Sequence, residues 1–213
     1  MSRVAIFDYG AGNIFSIKVA LERLGASTEV IRSMDDLIEM YDALILPGVG
    51  NFDPAMRSIM PYRDELDEAI RSGIPILGIC LGMEMLFERS EEGTLPGLGI
   101  LAGEVVMLPK SVKIPHMGWN RLKVNVGSGI SSSASNRSIL LNGIEDGTWV
   151  YFVHSYHARG YASSNIVTAT CEYGVEFPAV IEHGNIFGTQ FHPEKSGSKG
   201  MQMLSNFLSY VRR

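Results

Sequence analysis

The sequence has few cysteines, no cluster of basic residues and no long hydrophobic run. Its two cysteines, Cys80 and Cys171, lie far apart in apolar segments, which favours reduced thiols over the disulfides of a secreted domain. The apolar runs, of about 5 to 8 residues, are too short to span a bilayer. The N-terminus also lacks the three-part layout of a signal peptide, so we expect a cytoplasmic protein without a membrane segment.

The charge balance argues against nucleic acid as a partner. Eighteen basic residues stand against 23 acidic ones, giving a net charge of −5, and the basic residues are scattered. A chain of 213 residues, 46% of them hydrophobic, is long enough to bury a full core. No linker or internal repeat divides it, so we predict a single domain over residues 1–213.

The first half alternates buried-strand runs with helical periodicity. Apolar residues recur at helical spacing after Asn13, a possible helix cap, and Gly25 is a typical helix stop. Strands are predicted at residues 4–7, 28–31, 43–46 and 75–79, and helices near 35–40, 54–60 and 62–72. Strands without polar alternation suit a parallel sheet covered on both faces, which defines an α/β fold.

Beyond about residue 100, short strands follow one another at close spacing. They are predicted at residues 103–108, 121–126, 149–154, 166–171, 179–182 and 186–191, and a closing helix contains Met201 to Val211. This half is therefore predicted to be antiparallel or mixed. A Ser- and Gly-rich stretch at 126–137 has the composition of a surface loop.

Cys80 is the strongest candidate nucleophile. It lies in Gly78-Ile79-Cys80-Leu81-Gly82, between a predicted strand and a helical run that continues to Phe87. Small flanking residues permit the tight strand-to-helix turn that exposes a nucleophile above a sheet. A helix N-terminus would lower the pKa of the thiol. The alternative is an inert core cysteine, since free cysteines are usually buried.

His192 and Glu194 are the candidate base and its orienting carboxylate. Two residues apart on an extended backbone, they would point to the same side. Taken alone, they could equally be a histidine at a strand end and a surface glutamate. Together with Cys80 they complete a possible triad, because a nucleophile needs a base.

The loop after the third strand, Pro47-Gly48-Val49-Gly50-Asn51-Phe52, is a candidate oxyanion site. Its glycines let peptide planes turn, so a backbone N–H could face an oxyanion together with the N–H of Leu81. A phosphate-binding loop is the weaker alternative, because the third glycine and a following Gly-Lys-Ser or Gly-Lys-Thr are missing. His154 and His157, three residues apart on a predicted strand and its exit, are expected to be poor partners for one metal ion.

These three elements resemble the motifs of the triad glutamine amidotransferase family, in the same order along the chain. Segments 8–13 (DYGAGN), 115–120 (PHMGWN), 151–156 (YFVHSY) and 192–196 (HPEKS) are similar, more narrowly, to the glutaminase subunits of imidazole glycerol phosphate synthases of histidine biosynthesis. The resemblance implies a flavodoxin-like fold, with a mainly parallel sheet flanked by helices and an antiparallel second half.

The resemblance also implies the chemistry. Cys80 would attack the side-chain amide of L-glutamine, His192 would transfer protons and Glu194 would hold the imidazole, with a thioester intermediate and no metal or organic cofactor. Contacts to the oxyanion or substrate would come from Val49, Gly50, Leu81, Glu84, Ser155 and Tyr156. Ammonia would pass to a (βα)8-barrel cyclase subunit, bound one to one, with candidate contacts at Asn13, Tyr151 and Lys195.

Two departures from the family pattern stand out. The position four residues after the nucleophile is often Gln in the family, whereas this chain has Glu84. The stretch at 126–137 matches no family motif and is interpreted as a peripheral insertion. The alternatives are another triad glutaminase or a γ-glutamyl hydrolase on the same scaffold, or a flavodoxin-like binding module whose Cys80 is inert.

Overall fold

A computed structural model describes residues 1–10, 13–124, 138–160 and 166–212. The predicted insertion at 126–137, the end of the predicted strand at 121–126, and Ala11 and Gly12 in the segment 8–13 lie outside these ranges. Within them, no helix is long and apolar enough to cross a membrane.

The described residues form thirteen strands and six α-helices. The strands are β1 (Arg3–Phe7), β2 (Ser27–Ile31), β3 (Ala43–Leu46), β4 (Ile76–Ile79), β5 (Arg89–Ser90), β6 (Glu104–Met107), β7 (His116–Arg121), β8 (Lys123–Val124), β9 (Trp149–His154), β10 (Tyr156–Arg159), β11 (Val167–Glu172), β12 (Glu176–His183) and β13 (Ile186–Thr189). The helices are α1 (Ile14–Arg23), α2 (Leu37–Met40), α3 (Phe52–Ile59), α4 (Arg63–Arg71), α5 (Leu81–Glu84) and α6 (Gly197–Val211).

The main sheet has eight strands in the order β2-β1-β3-β4-β13-β12-β11-β8. Strands β2, β1, β3, β4 and β13 run parallel, and β12, β11 and β8 continue the sheet in antiparallel pairs. Two smaller sheets, β10-β6-β5 and β7-β9, lie apart from it. The predicted fold class, a mainly parallel α/β sheet with an antiparallel second half, is therefore confirmed.

Alternate side chains of the parallel strands enter two hydrophobic cores. Val4 and Ile6 of β1 lie in the cluster that contains the buried faces of α1 and α6. Ala5 and Phe7 of the same strand lie in the cluster formed with α3 and α4. Because both faces of the strand are buried, its sequence lacks the polar alternation of a half-exposed strand.

Several local predictions differ from the structure. The helix predicted to run on to Phe87 ends at Glu84, because the carbonyls of Met85 and Leu86 accept bonds from the loop at Leu98 and Leu101. The sequence patterns do not predict β5, β7 or β10. Asn13 precedes α1 but makes no side-chain cap, since its Oδ1 accepts the hydroxyl of Ser16 instead.

Candidate active site

The candidate site residues meet because neighbouring parallel strands end at one edge of the sheet. Gly48 follows β3, Cys80 follows β4 and Gln190 follows β13. β4 lies between β3 and β13, and the N–H of Cys80 donates to the carbonyl of Thr189 at 2.7 Å. Ligand sites of parallel α/β sheets lie at such carboxyl ends.

The turn at Cys80 is strained and closely packed. With φ +50° and ψ −108°, Cys80 is the sole non-glycine residue with positive φ in the described ranges. A Cβ at Gly48 would lie 1.7 Å from the carbonyl oxygen of Ile79, and one at Gly82 would lie 2.0 Å from that of Leu46. Both glycines are therefore needed for the backbone to place Cys80, the candidate nucleophile, over the end of the sheet.

The Cys80 thiol is nearly buried, with 6% of the residue exposed. Its Sγ donates to the carbonyl of Val153 at 3.7 Å and lies 3.8 Å from Nε2 of Gln190. Burial, followed by the charge of Glu84, raises the pKa of Cys80 well above its ordinary value, although the N–H of Leu81 opposes this shift. The N–H of Leu81 at the start of α5 thus lowers this pKa as expected, but α5 has one turn and burial dominates, so the net shift is upward.

His192 and Glu194 form a buried pair. Nδ1 of His192 lies 2.9 Å from Oε1 of Glu194, and their side chains are 1% and 2% exposed. The contact arises from a 3-10 turn over Pro193–Lys195 and not from the extended backbone that the spacing predicted. Nε2 of His192 has no hydrogen-bond partner in the described part of the chain, so it makes no bond to Cys80 in this conformation.

Ser196 anchors this turn, although the sequence pointed to it only as the last residue of the segment 192–196. Its hydroxyl donates to the carbonyl of His192 at 2.6 Å and accepts from the N–H of Tyr151 at 3.0 Å. The N–H of His192 also donates to the carbonyl of Tyr151. β9 therefore fixes the histidine backbone, a role that a short Ser side chain gives no signal for in sequence.

A cavity of about 240 Å³ opens over Cys80. It is lined by Gly48, Val49, Gly50, Cys80, Leu81, Glu84, Glu92, Pro115, Val153, His154, Ser155 and Tyr156. All six residues predicted to contact the oxyanion or substrate are thus brought together. The three interface candidates are outside this lining: Asn13 is half-buried before α1, Tyr151 lies in β9 and Lys195 is exposed in the turn after His192.

Glu84 lies in the cavity wall, and the pKa of its carboxyl group is raised. Only 4% of it is exposed, and burial raises its pKa to about 8, with the charge of Glu92 acting in the same direction. Nε2 of Gln190 donates to Oε1 of Glu84 at 2.8 Å. Gln190 and Glu92 are site residues that sequence analysis missed.

His116 and His154 form a second buried pair beside the cavity. Their Nδ1 and Nε2 atoms lie 3.0 Å apart, across the β7-β9 ribbon, and Nδ1 of His154 lies 2.7 Å from the carbonyl oxygen of Tyr156. A carbonyl accepts only, so His154 carries its proton on Nδ1 and accepts from His116 at Nε2. No cluster of three or more His, Cys, Asp or Glu suited to a metal ion occurs in the described ranges.

Comparison with known proteins defines the class. Residues 5–211 match the family described as glutamine amidotransferase class-I. A solved structure of PurLQS from Thermotoga maritima has a TM-score of 0.73 at 22% identity, covering 99% of this chain and 100% of that one. The glutaminase domain of a Trypanosoma brucei CTPS with bound acivicin has a TM-score of 0.69 at 15% identity, with coverage of 100% and 94%. These structures share the fold.

Curated relatives show to which family within this class the chain belongs. An imidazole glycerol phosphate synthase subunit HisH from Methanosarcina acetivorans is 42% identical, covering 98% of each chain. Proteins of the same name from Geobacillus thermodenitrificans and Bacillus cereus are 44% and 46% identical, covering 99% and 98% of this chain and 97% and 95% of theirs. The chain belongs to the HisH family of class-I glutamine amidotransferases.

Proposed function

We propose that this protein is the glutaminase subunit of an imidazole glycerol phosphate synthase of histidine biosynthesis. It hydrolyses L-glutamine to glutamate and ammonia, and the ammonia is consumed by a cyclase subunit. The observation that carries the proposal is that the strained Cys80 turn, in the cavity wall, follows β4, and the buried His192–Glu194 pair follows the neighbouring strand β13. Family membership supports the same activity.

The first half of the reaction forms a thioester. His192 Nε2, free of other bonds in the described part of the chain, takes the thiol proton as Sγ leaves the Val153 carbonyl. Sulfur attacks the carboxamide carbon of glutamine, and backbone N–H groups near Val49, Gly50 and Leu81 stabilise the oxyanion. Collapse breaks the C–N bond, and His192 returns the proton to the departing NH₂ group, which leaves as ammonia.

The second half releases glutamate. His192 takes a proton from water, the hydroxide attacks the thioester carbon, and the C–S bond breaks as the proton returns to sulfur. Glu194 acts through its 2.9 Å contact with Nδ1, which orients the ring and stabilises its charged form. Neither step requires an oxidant, reductant or metal.

Cyclase dependence tests this assignment. Glutamate release should be measured with the (βα)8-barrel cyclase and its nucleotide ligand, using wild type and the Cys80→Ala variant. Cys80→Ala should abolish release while retaining a one-to-one complex in sedimentation, and His192→Ala should lose on the order of 10² to 10⁴ in rate. Glu194→Gln should lose less. Near wild-type release by Cys80→Ala, or no association at micromolar concentration, would contradict the proposal.

A further inference from the structure

The buried side chain of Gln190 contacts two residues of the cavity lining, Glu84 and Cys80. Gln190 is fully buried, and its Nε2 lies 2.8 Å from Oε1 of Glu84 and 3.8 Å from Sγ of Cys80. An amide NH₂ group has two hydrogens, so it can donate to the carboxyl and to the sulfur at once. Gln190 thereby connects Glu84 to the nucleophile.

The structure places the amide nitrogen of Gln190, and not its oxygen, towards Glu84 and Cys80. Oε1 of Gln190 has no hydrogen-bond partner in the described part of the chain, so the contacts to Glu84 and Cys80 hold the side chain through its nitrogen alone. A flipped amide would direct its oxygen at the sulfur, where it would repel a thiolate. An N–H donor instead favours the charged form of an anion that it contacts.

We propose that Gln190 is a positioning residue for the reaction: its amide, oriented by Glu84, donates to Sγ of Cys80 and stabilises the thiolate. Glu84 acts on the nucleophile in two opposed ways. As a hydrogen-bond acceptor it aligns the donor, and as a carboxylate it repels the thiolate. The inference rests on the proposed function only in taking Cys80 as the nucleophile.

The charges around the two titrating groups give the sign of the pH dependence. Groups that interact with Glu84 or Cys80 from the surrounding elements are Tyr9, Glu92, Tyr156, Glu194 and the N–H of Leu81. His154, in the cavity wall, has its pKa lowered by burial to about 3 and is neutral near pH 7. Since the pKa of Glu84 is about 8, its repulsion of the thiolate is weak at pH 7 and strong at pH 9.

Alkylation of Cys80 by iodoacetamide tests the proposal without requiring turnover. Rates are measured from pH 6 to 10 on the full chain by peptide mass spectrometry, and buried Cys171 provides an internal check of folding. Gln190→Met removes the donor at similar volume and should slow alkylation about tenfold at pH 7, a shift of about one pH unit. Gln202→Met is the matched control, since that amide donates to Asn142 and Gly143.

Glu84→Gln should raise the alkylation rate of Cys80 at high pH, whereas Gln190→Met lowers it. The introduced amide oxygen still accepts from Gln190, and the charge is gone, so alkylation should change little at pH 7 and rise about tenfold at pH 9. In the Gln190→Met background this gain should shrink, because Glu84 without its donor stays protonated to higher pH. An unchanged profile in Gln190→Met, no gain in Glu84→Gln, or equal gains in both backgrounds would overturn the inference.

These outcomes are distinguishable from those of the glutaminase test. Shifted alkylation profiles in a protein that releases no glutamate would support the positioning role and contradict the proposed function. Unshifted alkylation profiles in a protein with cyclase-dependent turnover would support the proposed function and contradict the positioning role of Gln190.

Discussion

At the residue scale, Cys80, the proposed nucleophile, has a strained backbone. Its φ of +50° places an L side chain in a region that costs on the order of 1 to 3 kcal/mol, and the glycine-lined turn holds it there. The strain serves reactivity, since the same turn presents Sγ to the cavity. Stability and activity are therefore opposed at this position.

Replacing Cys80 with glycine should relieve this strain. We expect the free energy of unfolding of Cys80→Gly to exceed that of Cys80→Ala by about 1 kcal/mol, measured by urea denaturation. Cys171, in the extended strand β11, is the matched control, because there Gly should be less stable than Ala by about 0.5 to 1 kcal/mol. The same order of stability at both positions would show that the turn is unstrained.

The His116–His154 pair makes the fold sensitive to acid. Burial lowers the pKa of His116 from 6.5 to about 4 and that of His154 to about 3. The unfolded chain therefore binds more protons than the folded one below about pH 6.5, and the stability from these neutral rings is lost as the pH falls towards 4.

His154→Gln should reduce this acid dependence. Each histidine contributes up to about 1.4 kcal/mol of unfolding free energy per pH unit in that window. We expect the loss between pH 6.5 and 5 to be smaller in His154→Gln than in wild type, although the variant is less stable at pH 7. His183→Gln, at an exposed position, is the control for the same substitution away from this pair. Equal slopes in all three proteins would assign acid sensitivity to other groups.

At the scale of elements, β3, β4 and α5 are locked together by glycines. The Cβ that an alanine would add at Gly82 overlaps the carbonyl of Leu46, so β3 and α5 would have to separate. We expect Gly82→Ala to lower the free energy of unfolding by more than about 3 kcal/mol, or to fail to fold. Gly73→Ala meets open space but has φ +81°, so it should lose about 1 to 2 kcal/mol. Comparable losses in thermal melts would contradict this difference.

Elements that depend on local sequence are predicted, whereas elements that depend on contacts between distant segments are not. The buried strands β1, β3 and β4 and the Cys80 turn follow from apolar runs and local glycine spacing. The half-exposed ribbon β7-β9 depends on pairing between segments far apart in the chain, and the apolar residues of β7, Met117 and Trp119, are exposed and mark no core-facing side. The Gln190–Glu84 contact joins residues 106 apart, and neither residue type alone indicates it.

At the scale of the whole molecule, the oxyanion loop connects the cavity to the surface. Gly48, Val49 and Gly50 line the cavity beside Cys80, and Val49 is also 40% exposed. Asn13 and Lys195, two of the cyclase contacts that the family resemblance implies, also follow the carboxyl ends of parallel strands, β1 and β13. The docked cyclase could therefore act on the Val49–Gly50 peptide directly.

This geometry predicts that the isolated protein hydrolyses glutamine poorly until the cyclase binds with its nucleotide ligand, and that Gly50 is needed for this stimulation. Gly50 has φ +144°, which proline cannot adopt, and proline also removes the N–H. Gly50→Pro should still form a one-to-one complex but lose about 10² to 10³ of the nucleotide-stimulated rate of glutamate release, the effect of one oxyanion donor. Gly50→Ala keeps the N–H, so it should retain more of the stimulation. Normal stimulation of Gly50→Pro would contradict this role of Gly50. So would an isolated wild type that already releases glutamate at the rate of the complex. In either case, the loop only shapes the cavity.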